Sequence, residues 1–215
     1  MIENYTVIEQ CRICGCKDLE IGISLPAQFL SPTFVKSNID NPLAKIKVPM
    51  TLMVCNNNDC SLVQLKESTN PNLLYTNYFY RSATNETMLK DLRKVVSKSQ
   101  EYSNLKANDI VVDIGANDCT MIQWFPESLK RIAVEPAKNI DWTNVAPSVK
   151  IVNDFFPSPK FINALDGSKV KLFTSCAMFY DLDKPNNFVQ SVKESLHKDG
   201  LWCIQLSYAL SMTKN

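Results

Sequence analysis

Two cysteine pairs carry the clearest chemistry in the first third of the chain. Cys11 and Cys14 lie in CRIC, and Cys55 and Cys60 in CNNNDC. Each pair sits on a turn that can aim two sulfurs at one point, and Zn2+ fills such a tetrahedral thiolate set without redox chemistry. Gly15 follows the first pair and suits a tight turn. The expectation is a structural Zn2+ site on Cys11, Cys14, Cys55 and Cys60, with Cys16 a poorer ligand because it falls just past the turn. Four sulfurs leave no open position, which argues against catalytic zinc. Cys119, Cys176 and Cys203 lie in or beside apolar stretches and read as small buried hydrophobes.

The second candidate is VVDIGANDCT, residues 111–120, which reads as a buried strand, a tight turn and a helix start. A phosphate-cradling dinucleotide loop places glycines at three positions so that the backbone can approach a pyrophosphate. Here Gly115 is followed by Asn117 and Thr120 at the other two, and Asp118 adds a carboxylate. That charge would repel a diphosphate at a cost on the order of 1 kcal/mol. S-adenosylmethionine fits better, having an adenosine, a sulfonium and a zwitterionic amino acid but no phosphate. Asn117 can adopt the left-handed backbone where glycine is usual. Glu135 ends the next strand in RIAVEP and can accept ribose hydroxyls. An NAD site shares that feature, so the loop is what discriminates. Asp154 and Phe155 follow the third strand, where adenine could be bonded and packed; Asp154 also reads as a helix N-cap.

These residues need elements to hold them. MTLMV and SLVQL read as strands beside the second cysteine pair, while LPAQFLSP and NIDNPLAKIKVP between the pairs read as turns. The first 68 residues therefore form a small β-rich module, with too little apolar content to stand without a staple. Residues 69–103 form a helical linker and cap, in which Met88, Leu89, Leu92, Val95 and Val96 make one apolar stripe and Ser82 and Thr84 are candidate N-caps. From 104 to 215 strands alternate with helices. DIVVDIG, RIAVEP, KIVNDFF, KLFTSCAMF and LWCIQLSY read as strands. TMIQWF and NNFVQSVKESLHKDG read as helices, the latter ending at Gly200 with His197 in its last turn. The fold class is α/β: a Rossmann-like, doubly wound, mostly parallel sheet.

Composition sets limits. There are 23 Lys and Arg against 22 Asp and Glu, a net charge of +1, so nothing suggests a nucleic-acid partner. No apolar run reaches the ~20 residues that span a bilayer. Eight cysteines without a secretion signal at the N-terminus point to a reducing, cytoplasmic setting.

In CRICG, MTLMVC with CSLVQL, YRSATNETM, DIGANDCT, VEPAKNI and AMFYDLDKPNNFVQSVKESLHKDGLWCIQ, the chain resembles class I S-adenosylmethionine-dependent methyltransferases with an N-terminal zinc-binding domain. The best-known of these are sugar C-methyltransferases acting on nucleotide-linked deoxysugars. The resemblance implies a small-molecule acceptor of the nucleotide-sugar type. It implies that Asp113, Gly115, Ala116 and Asn117 surround the methionyl part, and that Glu135, with Pro136 beside it, holds the ribose. Asp154 and Phe155 would flank the adenine, and Ser175, Cys176 and Ala177 would line the cofactor. Tyr80, Arg81 and Ser82 would cap it, Arg81 pairing with its carboxylate.

There are departures from the family pattern. The loop has Cys119 where the family usually has glycine, and Tyr180 or Asp181 stands where a histidine is typical. The sequence stops after the fifth strand, short of the usual two further strands, which predicts an exposed edge covered by a homodimer or another partner. Tyr180 and Asp181 are the candidate catalytic pair, because they follow the fourth strand where the methyl group should point; Asp183, Tyr80 and Tyr208 are the other groups available. Two other readings fit the same residues. One is a non-catalytic zinc-stapled module that binds a cofactor or partner, the other an NAD-linked enzyme.

Overall fold

The computed structural model describes residues 4–31 and 45–208. The turn expected in NIDNPLAKIKVP lies outside that range up to residue 44, and its last three residues, 47–49, are strand rather than turn. The chain divides into two units, Met1–Phe79 with Asp183–Asn186, and Tyr80–Leu182 with Asn187–Asn215.

The first unit is β-rich. Strand β1 (Tyr5–Val7) pairs antiparallel with β5 (Glu67–Thr69), Tyr5 opposite Thr69. A second antiparallel sheet joins β2 (Leu19–Phe29), β3 (Lys47–Cys55) and β4 (Val63–Leu65) in that order. The length of β2 departs from the turn reading of LPAQFLSP. It is an edge strand, the position at which Pro26 costs no ladder bond. Buried Glu67 ties the sheets, since its carboxylate accepts from the Thr51 N–H at 2.8 Å and the Thr51 hydroxyl at 3.0 Å. A short helix, α1 (Pro71–Tyr75), starts at Asn70, whose side chain accepts from the Asn72 N–H.

The second unit is a five-stranded parallel sheet of β6 (Ile110–Ile114), β7 (Lys130–Val134), β8 (Val149–Val152), β9 (Val170–Cys176) and β10 (Leu196–Gln205). The spatial order is β10-β9-β6-β7-β8, with every neighbour parallel. Strands β10 and β8 are the edges, and the order reverses between β6 and β9. That reversal is the topological switch point, where open α/β sheets bind ligands beyond the carboxyl ends of the strands. The expected Rossmann-like class is the one observed.

Side-chain alternation covers both faces. On one, Leu92 and Val96 of α2 (Glu86–Ser103) pack with Val111, Ile122, Phe125 and Leu172. On the other, Phe161 and Leu165 of α3 (Pro159–Leu165) and Phe188 and Val192 of α4 (Pro185–Ser195) pack with Val112, Ile132 and Phe173. Every residue of β6 is buried, as its unbroken apolar run requires. Among the described residues no helix is long and apolar enough to cross a membrane.

Three local expectations are corrected. The N-cap of α2 is Asn85, whose side chain accepts from the Met88 N–H at 3.1 Å; Ser82–Thr84 form a separate 3-10 turn just before it. TMIQWF forms a single 3-10 turn, Ile122–Trp124, rather than a helix. Pro126 limits it, because a residue before proline avoids the α region, and Phe125 is extended. Side chains then satisfy the carbonyls that a helix would have satisfied. Buried Arg131 donates to the carbonyls of Gln123 and Phe125, and Gln123 donates to that of Cys119.

The third correction concerns SVKESLHKDG. Helix α4 ends at Ser195, so His197 and Gly200 belong to β10. His197 accepts from the Asp199 N–H at 3.2 Å and does not cap a helix. Gly200 lies at the irregular start of β10, between Leu196 and Leu201. A Cβ there would stand 2.9 Å from the Val170 carbonyl oxygen and 2.8 Å from Leu196 Cγ. The leucine can shift but the strand carbonyl cannot. Gly200→Ala is therefore expected to lower stability by about 1–3 kcal/mol, measured by urea unfolding followed through tryptophan fluorescence.

Candidate functional site

The four early thiols converge. The Sγ atoms of Cys11, Cys14, Cys55 and Cys60 all lie within 4.8 Å of one another. Cys11 and Cys60 are 3.7 Å apart, and Cys14 and Cys55 3.6 Å. A tetrahedral site with ordinary Zn–S bonds has sulfur–sulfur edges of about 3.8 Å, so the donor set fits Zn2+. Local turns build it. Gly15, left-handed at φ 73°, donates to the Cys11 carbonyl, and Cys60 and Ser61 both donate to the Asn57 carbonyl. Cys16 stands outside the cluster and points to the Asp18 carbonyl.

Burial pushes the Cys11 thiol up, but the Cys14 and Ile13 N–H groups, with Gln64 and Cys60, bring it down to about 6. The Cys60 thiol is pulled down by the Leu62 N–H, yet burial and its cysteine neighbours leave it raised. A first thiolate thus suppresses the next, and a dication lets the set ionise together. The purified protein is expected to carry one zinc per chain. Elemental analysis should find most of it lost in Cys60→Ser and retained in Cys16→Ser.

The other constellation lies at the carboxyl ends of β6 and β7. Gly115, Asn117 and Cys119 are all left-handed, at φ 75°, 52° and 61°. The alternation folds the loop so that its amides turn inward. Gly115 and Ala116 donate to the Val134 carbonyl, and Asn117 to Glu135 Oε2 at 2.8 Å. Asp118 donates to Asn117 Oδ1, Cys119 to the Ala116 carbonyl and Thr120 to Asp118 Oδ1. Every N–H from residue 115 to 120 therefore has a partner inside the protein.

Glu135 is buried, and its second oxygen accepts from the Ala137 N–H at 2.8 Å. Two N–H bonds leave lone pairs on both oxygens for a ligand. Burial pushes its carboxyl up, opposed by the Ala137 and Asn117 N–H groups and by Arg81. Asp113, also buried, accepts from the Thr174 hydroxyl at 2.8 Å. Burial, with a smaller contribution from Glu135, raises it from 3.8 to about 7 despite that bond.

A carboxyl whose folded pKa is raised binds its proton more tightly in the folded chain than in the unfolded one. Stability should therefore decline as pH rises from about 4 to about 7 and level off above. Asp113→Asn should flatten that decline, as read from urea midpoints across the range.

The strap before α2 joins the same network. The Ser82 N–H donates to Asn117 Oδ1 at 3.2 Å, and the Ala83 N–H to Asp118 Oδ2 at 2.8 Å. Asn117 Nδ2 donates to the Tyr80 carbonyl at 3.1 Å. Arg81 donates to the carbonyls of Tyr80 and Asn139. Asp113, Gly115, Ala116, Asn117, Glu135 and the Tyr80–Ser82 strap are thus brought together, with Pro136 half-buried beside Glu135.

Asp154 and Phe155 follow β8, the Asp154 side chain accepting from the Phe155 N–H. The N-cap of α3 is Ser158, so Asp154 does not cap that helix. Ser175 and Cys176 turn into the core, the former accepting from the Trp202 indole at 3.1 Å and the latter 3.9 Å from Met121 Sδ. Ala177 is exposed at the end of β9 and left-handed. Tyr180, 58% exposed, and Asp181 lie on the 3-10 turn Phe179–Asp181 directly after it.

Sequence reasoning passed over four residues here. Trp142 donates its indole N–H to the Asn117 carbonyl, and Thr174 holds Asp113. Asn153 donates to the carbonyls of Glu135 and Ala137. Met178 Cγ would lie 3.3 Å from a Cβ on Gly115. Only Asn153, directly after a strand, carried a usable signal.

A cysteine-built metal module thus accompanies a switch-point cofactor fold. Residues 11–75 match the family model described as "Putative zinc binding domain". The chain is 23% identical over 216 aligned residues to the C-methyltransferase NovU of Streptomyces niveus, covering 97% of this chain and 49% of that protein. It spans about half the length of this curated relative. Both matches bear out the resemblance to methyltransferases with an N-terminal zinc-binding domain.

Solved structures similar to it include a precorrin 8w decarboxylase of Methanobacterium thermoautotrophicum, at TM-score 0.45 and 11% identity over 63% of this chain and 73% of that one. Another is precorrin-6y C5,15-methyltransferase of Geobacter metallireducens, at TM-score 0.44 and 16% identity over 63% of this chain and 72% of that one.

Proposed function

We propose that the chain serves S-adenosylmethionine-dependent methyl transfer in the cytoplasm, to a nucleotide-linked sugar or related saccharide precursor. One observation carries the choice of cofactor: the six amides of residues 115–120 are all bonded within the protein. A diphosphate is held by free loop amides and a helix N-terminus. This loop spares no amide, and only a 3-10 turn follows it. Asp118 contributes by consuming the donors of Thr120 and Ala83, as well as through its charge.

The two raised carboxyls favour a cationic ligand for the same electrostatic reason, since a nearby positive charge lets both ionise. In this reading Glu135 accepts the ribose hydroxyls, and Asp113 and the Gly115–Asn117 backbone border the methionyl part. Asp154 and Phe155 border the adenine, and Arg81 faces the carboxylate. When bound, S-adenosylmethionine supplies an electrophilic methyl group for an in-line displacement. The chain's own task is to orient the acceptor and take its proton. Tyr180 and Asp181, exposed beyond β9, are assigned that task.

The match to a C-methyltransferase supports carbon as the accepting atom. Zinc-replete protein is expected to bind S-adenosylhomocysteine in the micromolar range by titration calorimetry and to ignore NADH. Absence of S-adenosylhomocysteine binding would overturn the reading. In turnover on a panel of deoxysugar nucleotides, Tyr180→Phe should lower kcat by about 10²-fold. Binding without any turnover would leave a module that acts by association.

A further inference from the structure

Asn117 is committed on every side. Its N–H donates to Glu135, and its carbonyl accepts from Trp142 at 3.2 Å. Its side-chain oxygen accepts from Ser82 and Asp118, and its side-chain nitrogen donates to the Tyr80 carbonyl. Yet its φ is 52°, a conformation that glycine adopts without strain. Backbone and side-chain bonds together hold that conformation, and two of the three side-chain bonds reach the strap. Asp118 adds the third link to the strap, through the Ala83 N–H. Within the strap the Thr84 N–H and hydroxyl donate to the Arg81 carbonyl and Arg81 donates to the Tyr80 carbonyl, while Arg81 also reaches the Asn139 carbonyl.

We propose that Asn117 and Asp118 are positioning residues that latch the strap Tyr80–Ala83 to the cofactor loop, fixing Tyr80 and Arg81 as a wall beside the methionyl end of the ligand. This rests on the methyl-transfer reading. The latch is built before any ligand arrives, because all three links run between protein atoms. Through the Asn117 N–H it also couples the strap to Glu135, whose carboxyl already senses the Arg81 charge. A ligand on Glu135 therefore meets a wall whose ordering has been completed in folding, which spares that entropy on binding.

The test uses the full chain with zinc bound and compares wild type with N117G, N117D and D118A. Amide exchange is followed by NMR without ligand, and S-adenosylhomocysteine affinity by calorimetry. N117G relieves backbone strain while cutting two links. It should keep the β6 amides protected, speed exchange at Ser82 by about tenfold, and weaken binding by about tenfold. D118A should do the same at Ala83. N117D retains the oxygen and should restore Ser82 protection.

Unchanged exchange at Ser82 in N117G and at Ala83 in D118A would overturn the latch. So would a freed strap with undiminished affinity. Should N117G loosen β6 as well, D118A decides alone. Wild-type protein that fails to bind S-adenosylhomocysteine would sink the methyl-transfer reading, while the exchange comparison would still report on the latch.

Discussion

The loop after β6 turns on a single backbone choice. Three left-handed residues in six, Gly115, Asn117 and Cys119, fold the chain so tightly that its amides point at one another and at the end of β7. Only one is glycine. The other two take a conformation that costs a side-chain-bearing residue on the order of 1 kcal/mol, and the surroundings must over-determine it. Cys119 is held by complete burial and Asn117 by hydrogen bonds on all its polar atoms. The internal bonding of the loop amides, the placing of Glu135 and the docking of the strap all follow from that turn.

Much of this was legible in the sequence, and the parts that were not share a cause. An unbroken apolar run identifies β6, because a strand covered on both faces has no polar side to show. The cysteine spacing identified the metal set, because ligand geometry is local. TMIQWF misled because its apolar period is helical, while Pro126, a single breaker, leaves too few residues to nucleate. SVKESLHKDG misled in the opposite direction. Gly200 looks like a helix terminator, yet its real constraint is a carbonyl on β9, a neighbour that no local pattern can reveal. Strand β2 escaped because an exposed edge strand needs no apolar alternation.

The site divides along the same line. Asp113 was reached only through the family resemblance, whereas Glu135 could be placed from its strand end alone. The role of Asp118 could not, since its partners at Ala83 and Thr120 are a matter of tertiary approach. Its carboxylate drew notice as a charge that would repel phosphate, and the structure adds that it accepts hydrogen bonds and fixes backbone. Both descriptions disfavour a diphosphate, the first through its field and the second by removing donors.

The cysteine cluster joins positions 41 residues apart in Cys14 and Cys55. A cross-link of that span owes its entropic cost to the logarithm of the enclosed length, so doubling the enclosed segment adds only about 0.6 kcal/mol. What constrains the length of that segment is the pairing of β2 with β3, and loop closure alone thus puts little constraint on it. The turns carrying the sulfurs have no such latitude. During synthesis the second knuckle emerges well after the first, so the metal can close the module only once both paired strands between them have left the ribosome.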